Sequence, residues 1–237
     1  MLADGTCLIT IMKILIKELK CLLAEGVMDA LSTQISRTII NHIKQEAPSG
    51  RIEALIQQMN GFQLRVVFQT YGDEEELRWT RAHYDTQHHE LFVRIEVPLP
   101  LRVQELNAFI PELKEALRHE LEHALQANRK TIRGVHHLDP TYSDNTGFPR
   151  KNQFSDIESA KEYFLSPEEI EAHVMGMYKF AKTSKKPLRD IMIQKTTEMA
   201  GKMQRNGIPR QESFKFVSEL FKTWVSYAEK RNIKITN

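Results

Sequence analysis

The sequence predicts an α+β fold in which a small, antiparallel-rich sheet lies between helical N- and C-terminal regions. Apolar residues recur at intervals of three and four over most of the first 60 residues and again after residue 110, which is typical of helices packed on a core. Between these stretches, apolar and polar side chains alternate along residues 61–70, as in a half-buried strand. Of the 237 residues, 41% are hydrophobic, which is enough for a core.

The N-terminal region, residues 1–60, is predicted to be helical. Its pattern runs from Met12 to about Met59, with a break at Pro48-Ser49-Gly50. Strands are predicted next, from the alternation of side chains and the polar turn at residues 85–89. The predicted strands are Gly61–Thr70, Leu77–Tyr84 and Leu91–Val97.

The predicted sheet is followed by a predicted helix that contains the candidate functional residues. Pro111 is expected to open this helix, since a missing N–H costs nothing at the first helical position, and the pattern continues to about Arg129. Residues 130–157 are polar and contain Gly and Pro, which predicts a long loop. Further helices are predicted near Ile157, at Pro167–Lys182, at Pro187–Met203 and at Pro209–Arg231. The predicted domains are a core at 61–182 and a helical C-terminal region at 183–237.

The net charge limits the classes of partner that we expect, and the cysteine content indicates the cellular compartment. Lys and Arg number 33 against 31 Asp and Glu, so the net charge of +2 gives no reason to expect nucleic acid or an anionic membrane as the main partner. The two cysteines, Cys7 and Cys21, suggest buried or free thiols in a reducing compartment. No apolar run reaches the roughly 18 residues of a membrane span. With no export signal recognised, we expect a cytoplasmic protein of undetermined oligomeric state.

A metal-binding pattern, His119-Glu120-Leu121-Glu122-His123, stands in the middle of the predicted helix. Residues four apart on an α-helix lie about 40° apart around its axis, so both imidazoles project from one face. Such a pair binds one zinc ion, which takes a third protein ligand and keeps one position for water. Zinc lowers the pKa of that water to about 7, and a nearby carboxylate removes its proton during attack on a carbonyl. The pattern therefore predicts a zinc-dependent peptidase with a protein or peptide substrate.

Either glutamate of the motif fits as the general base. The common pattern uses the residue after the first histidine, Glu120, and the inverted pattern uses Glu122. Both lie about 80° from the histidine direction, so helix geometry does not choose. The inverted enzymes resemble larger proteins with a more distant third ligand, so Glu120 is the predicted base and Glu122 a surface or supporting carboxylate. Gln126 is predicted to contact substrate or the second nitrogen of a histidine, or to be a surface amide.

The third zinc ligand has several candidates. A histidine six residues after His123 would mark a metzincin, but that position is Arg129, which excludes the class. Four candidates lie in the long loop: His136, His137, Asp139 and Asp144. Others lie in the acidic segment at residues 163–173.

In this acidic segment the sequence resembles the gluzincins, zinc peptidases whose third ligand is a glutamate on a second helix, followed three residues later by a small residue. Glu169 and Ala172 match that spacing. The resemblance covers about residues 61–182 and implies a zincin-like fold with His119, His123 and Glu169 around one zinc ion. His173 departs from the family, many of whose members carry an acidic residue there.

Other interpretations of the same segment stay open. Ser166-Pro167-Glu168-Glu169 also matches a capping box at a helix start. Glu171, on the other edge of the helix, is an alternative ligand. Tyr163 is predicted either to stabilise an oxyanion or to be a core tyrosine. Small residues at Ala172 and Gly176 are expected to let the two helices approach closely.

A different class of function is also consistent with the sequence. The lysine-rich stretch at residues 12–20 resembles proteins encoded by tailed bacteriophages, which implies a virion component that keeps a zincin-like fold without catalysis. If the chain is a peptidase, the strand Leu91–Val97 is predicted to dock an extended peptide along its edge.

Overall fold

A computed structural model describes residues 26–44, 53–59, 62–71, 78–85, 88–98, 103–132 and 156–236. The predicted features at Cys7, Cys21 and the loop candidates for the third ligand lie outside these residues. Helix α1 spans residues 26–44. The other elements are β1 (Glu53–Met59), β2 (Phe62–Tyr71), β3 (Arg78–Asp85), β4 (Glu90–Pro98), α2 (Val103–Ile132), α3 (Ile157–Phe164), α4 (Pro167–Ser184), α5 (Leu188–Arg205) and α6 (Arg210–Lys230).

The four strands form one mixed sheet in the order β1-β2-β4-β3. Both outer pairs are antiparallel, and the central pair β2 and β4 is parallel, with Leu64 opposite Leu91 and Val66 opposite Val93. These four side chains are fully buried, because the alternating pattern places every second residue on the same face. The α+β prediction is confirmed, with a sheet that is mixed and in which antiparallel pairings outnumber the parallel one.

Three predictions about the sheet and its helix were wrong. Residues 53–59, predicted to be helical, form strand β1, because pairing with β2 outweighs a weak local pattern. Strand β4 bonds to neighbours on both sides, so it has no free edge for a peptide. Helix α2 begins at Val103, well before Pro111. The turns before the proline bury Leu106 and Phe109 in the core, which compensates for the hydrogen bond that proline lacks.

Buried apolar side chains fall into two clusters, which divide the chain into two halves. The sheet half comprises α1, the four strands and α2, and its core includes Ile35, Val66 and Leu117. The helical half comprises α3 to α6, and its core includes Val174, Met192 and Trp224. The four C-terminal helices agree with the sequence prediction to within a few residues.

Helices α2 and α4 bring the two halves together. A Cβ atom at Gly176 of α4 would lie 3.0 Å from the carbonyl oxygen of Glu115 and 3.4 Å from the Cβ of His119, so the two backbones approach closely here. Helix α1 adds a polar tie, since Lys179 of α4 donates to the carbonyl oxygen of Asp29 at 2.9 Å. Among the described residues, no helix is both long and apolar enough to cross a membrane.

Candidate metal centre

The two histidines of the motif project from α2 toward α4. The opposite stripe of α2, including Leu113, Leu117 and Leu121, is fully buried in the sheet half. The imidazoles therefore face the helical half, and their Nε2 atoms lie 3.2 Å apart. The side chains of His119 and His123 are 14% and 19% exposed, so the pair is shielded but remains accessible.

Glu169 of α4 completes a three-residue cluster with these histidines. Its Oε2 lies 3.5 Å from His119 Nε2, and its Oε1 lies 3.5 Å from His123 Nε2. In a tetrahedral zinc site with bonds near 2.0–2.1 Å, neighbouring ligand atoms stand about 3.3 Å apart. The separation of the two imidazole nitrogens, and the shortest separation of each from a carboxylate oxygen, are of that size, and one ligand atom from each of the three residues lies within 4.8 Å of the others. Within the part of the chain that the structure describes, this is the one group of three His, Cys, Asp or Glu residues spaced to hold a metal ion.

The start of α4 explains how Glu169 is free to face the histidines. Ser166 caps the helix, and its hydroxyl accepts the backbone N–H of Glu169 at 3.3 Å. In a complete capping box the glutamate side chain would accept the backbone N–H of the serine. That N–H instead donates to the carbonyl oxygen of Tyr163 at 3.2 Å. Only one of the two hydrogen bonds of the predicted capping box forms. The Glu169 carboxylate is therefore not used in the cap and can face the two histidines.

The burial and hydrogen bonding of the polar atoms in the cluster are those expected of a cation-binding site. Oε2 of Glu169 is buried and accepts no hydrogen bond from the described residues. Burial raises the pKa of Glu169, although His123 and a hydrogen bond from Tyr163 act in the opposite direction. Burial, with His173 and His123 nearby, holds the pKa of His119 well below its usual range, so this imidazole is neutral and keeps a lone pair for a metal. A neutral imidazole at His119 beside a buried carboxylate suits zinc.

The two glutamates of the motif have different surroundings. Glu120 is buried, its Oε1 lies 4.0 Å from His119 Nε2, and its Oε2 accepts the backbone N–H of Tyr84 at 3.1 Å. Burial and then the neighbouring Glu169 raise the pKa of Glu120 well above its usual range. Glu122 is also buried and pairs with Arg118 at 2.5 Å. Glu120 thus lies at the cluster, and Glu122 is a supporting carboxylate rather than a surface one.

Both histidines have hydrogen-bond partners besides the cluster. Nδ1 of His123 lies 3.0 Å from Oε1 of Gln126. His119 makes a hydrogen bond with the backbone of Ala172 on α4. Such partners fix the ring orientation and the tautomer of metal-binding histidines. The position of Gln126 fits the predicted contact with a histidine nitrogen.

The other residues of the acidic segment lie around the three-residue cluster but are not part of it. The Glu171 carboxylate faces Gln126 and α6 and is not part of the three-residue cluster. Nε2 of His173 lies 3.7 Å from Oε2 of Glu169, and burial lowers the pKa of His173 to about 3. Tyr163 bonds to the Glu169 carboxylate, which places its phenol at the site.

Sequence reasoning missed the polar groups that come from distant parts of the chain. The backbone N–H of Tyr84, from the edge strand β3, reaches Glu120 across 36 residues. Tyr227 of α6 reaches Glu171 across 56 residues. Neither contact has a local spacing pattern, so no signal in the sequence could have revealed it.

No protein-family model matches the chain, and no characterised protein and no solved structure shows significant similarity to it.

Proposed function

We propose that the chain is a zinc-dependent peptidase with a zincin-like fold, in which His119, His123 and Glu169 hold one zinc ion. The observation that carries the proposal is the cluster itself: the two Nε2 atoms lie 3.2 Å apart, each lies 3.5 Å from one oxygen of the Glu169 carboxylate, and one ligand atom from each residue lies within 4.8 Å of the others. Glu120 stands beside this cluster, 4.0 Å from His119 Nε2. Zinc bound there supplies an acidified water and a Lewis acid for a carbonyl oxygen.

Glu120 is the proposed general base. Its carboxylate is held by the Tyr84 N–H, and its buried surroundings raise its pKa, which suits a group that accepts a proton near neutral pH and returns it to the leaving amine. Tyr163 hydrogen-bonds to Glu169 and lies close enough to the site to be the proposed donor to a developing oxyanion.

The proposed path for the substrate is the edge of β3. Strand β3 ends the sheet, and in an antiparallel pair the N–H and C=O groups of alternate residues face away from the partner strand. One such group, the Tyr84 N–H, already points at Glu120, so an extended peptide along this edge would pass the base. Addition of a strand supplies main-chain hydrogen bonds that do not depend on the peptide sequence.

Metal binding is the first test. Protein stripped of metal and titrated with zinc should bind one ion per chain, and His123→Ala should lose it. Glu169→Gln should weaken binding, while Glu168→Gln, one residue away, should retain it. If wild-type protein takes up less than a small fraction of one ion per chain, the peptidase proposal fails and the non-catalytic structural role gains support.

Hydrolysis is the second test. Glu120→Gln should keep zinc and lower the cleavage rate of an unstructured protein substrate by about 100-fold or more, because proton transfer is removed while the ligands stay. Glu219→Gln, on the exposed face of α6, is the matched control and should cleave at the wild-type rate. Wild-type cleavage by Glu120→Gln would exclude Glu120 as the base.

A further inference from the structure

A continuous line of hydrogen bonds connects His123 to the last helix of the chain. Nδ1 of His123 bonds to Gln126 Oε1 at 3.0 Å, and Gln126 Nε2 donates to Glu171 Oε2 at 3.3 Å. Oε1 of Glu171 accepts a hydrogen bond from the Tyr227 hydroxyl at 2.8 Å and another from Arg231. The line crosses from α2 to α4 and then to α6.

Gln126 fixes the direction of the hydrogen bond that it makes with His123. Its Nε2 has two acceptors, the carbonyl oxygen of Glu168 at 3.0 Å and the carboxylate of Glu171. Only an amide nitrogen donates to both, so the Gln126 oxygen must face His123. An oxygen can only accept, and Nδ1 of His123 must therefore carry the proton. The lone pair then lies on Nε2, the atom that faces the ligand cluster.

Glu171 is the residue of this hydrogen-bonded line that α6 contacts directly. Its side chain is 14% exposed and would lose solvation without charged or donating partners. Arg231 stays protonated at all ordinary pH values, and burial followed by Glu171 raises the pKa of Tyr227, so both residues remain donors. Together they hold the carboxylate with its second oxygen toward Gln126.

We propose that Tyr227 and Arg231 are positioning residues, which act through Glu171 and Gln126 to keep His123 in the tautomer that presents Nε2 to a metal. The inference rests on the proposed zinc site, which it deepens by assigning the C-terminal helix a part in it. Residues 227 and 231 stand four apart, so they share one face of α6. Trp224 and Ala228 of the same helix are buried in the core of the helical half, which fixes where that face points.

The tautomer is tested in metal-free protein. NMR of isotope-labelled histidine nitrogens should show His123 protonated at Nδ1 in the wild type. The double variant Tyr227→Phe, Arg231→Gln should show a measurable fraction of His123 protonated at Nε2, because Gln126 Nε2 then keeps only the Glu168 carbonyl as a fixed acceptor and its amide is held less firmly. The matched double control is Tyr178→Phe, Arg210→Gln, which removes a phenol and a guanidinium elsewhere in the helical half and should keep the wild-type tautomer. An unchanged tautomer in the first variant would overturn the proposal.

Zinc affinity is tested separately. The double variant should bind zinc about 10- to 100-fold more weakly, the range for loss of groups that orient a metal ligand. The single variant Arg231→Lys, which keeps the positive charge, should lose less zinc affinity than the double variant. Wild-type affinity in the double variant would count against the proposal. If the wild type binds no zinc, the peptidase proposal fails, while the tautomer measurement still decides whether α6 positions His123.

Discussion

The sheet half and the helical half contribute different things to the candidate site. The sheet half supplies two of the three proposed ligands and the proposed base, all from a single helix, α2. The helical half supplies Glu169, the backbone of Ala172 that bonds to His119, and the Glu171 carboxylate that accepts a hydrogen bond from Gln126. Neither half contains a complete site. The candidate metal centre is therefore a feature of the interface, and its geometry depends on how closely α2 and α4 pack.

The two halves are also joined by charge. Arg118 of α2 is fully buried between Glu122, at 2.5 Å, and Asp29 of α1, at 3.3 Å. Asp29 in turn lies 3.5 Å from Lys179 of α4. A buried charge is tolerated only when it is paired, so this network requires α1, α2 and α4 to keep their relative positions. The network lies on the opposite side of the motif from Glu120.

The largest expected effect comes from removing the charge at the centre of this network. Arg118→Met leaves Glu122 buried without its cation and should lower the free energy of unfolding by about 3–5 kcal/mol, measured by denaturant titration. Arg118→Met combined with Glu122→Leu should recover most of the loss, since neither buried charge then remains. If the single variant is as stable as the wild type, the network does not join the halves.

A smaller effect is expected at the close contact between α2 and α4. In a helix, Gly→Ala ordinarily stabilises by roughly 0.5–1 kcal/mol. At Gly176 the new methyl group would lie 3.0 Å from the Glu115 carbonyl oxygen, a backbone atom that does not move aside easily. Gly176→Ala should therefore destabilise by about 1–3 kcal/mol and weaken zinc binding, because α4 and Glu169 are displaced from α2.

Gly201→Ala is the matched control for this contact. Gly201 lies on α5, and its nearest neighbour would be Nη1 of Arg205 at 3.5 Å, an ordinary contact with a flexible side chain. This variant should gain the usual helix stabilisation and bind zinc like the wild type. Equal stability gains at both glycines would show that the interface is not tightly packed.

Local spacing made part of this molecule predictable. The helices after residue 156 follow from their apolar periodicity, the pair His119 and His123 follows from its four-residue spacing, and Glu169 is expected from the resemblance to the gluzincins. Contacts between distant segments could not be predicted. Strand β1 depends on pairing with β2, and the burial of Glu122 depends on Arg118 lying between it and Asp29 of α1. A pattern read along the chain contains no information on such pairings.

The smallest expected effect separates the stability of the helical half from its part in the site. Ser166→Ala removes the N-cap of α4. Asp156→Ala removes the N-cap of α3, since the Asp156 side chain accepts the Ser159 N–H at 2.7 Å. Each should cost about 1 kcal/mol of unfolding free energy. Only Ser166→Ala should also weaken zinc binding, since the Ser166 hydroxyl bonds to the backbone of the proposed ligand Glu169. Calorimetric titration of both variants makes the comparison. If the two caps affect zinc binding equally, the first turn of α4 has no special part in placing Glu169, and the interface is set by the packing of α2 on α4 alone.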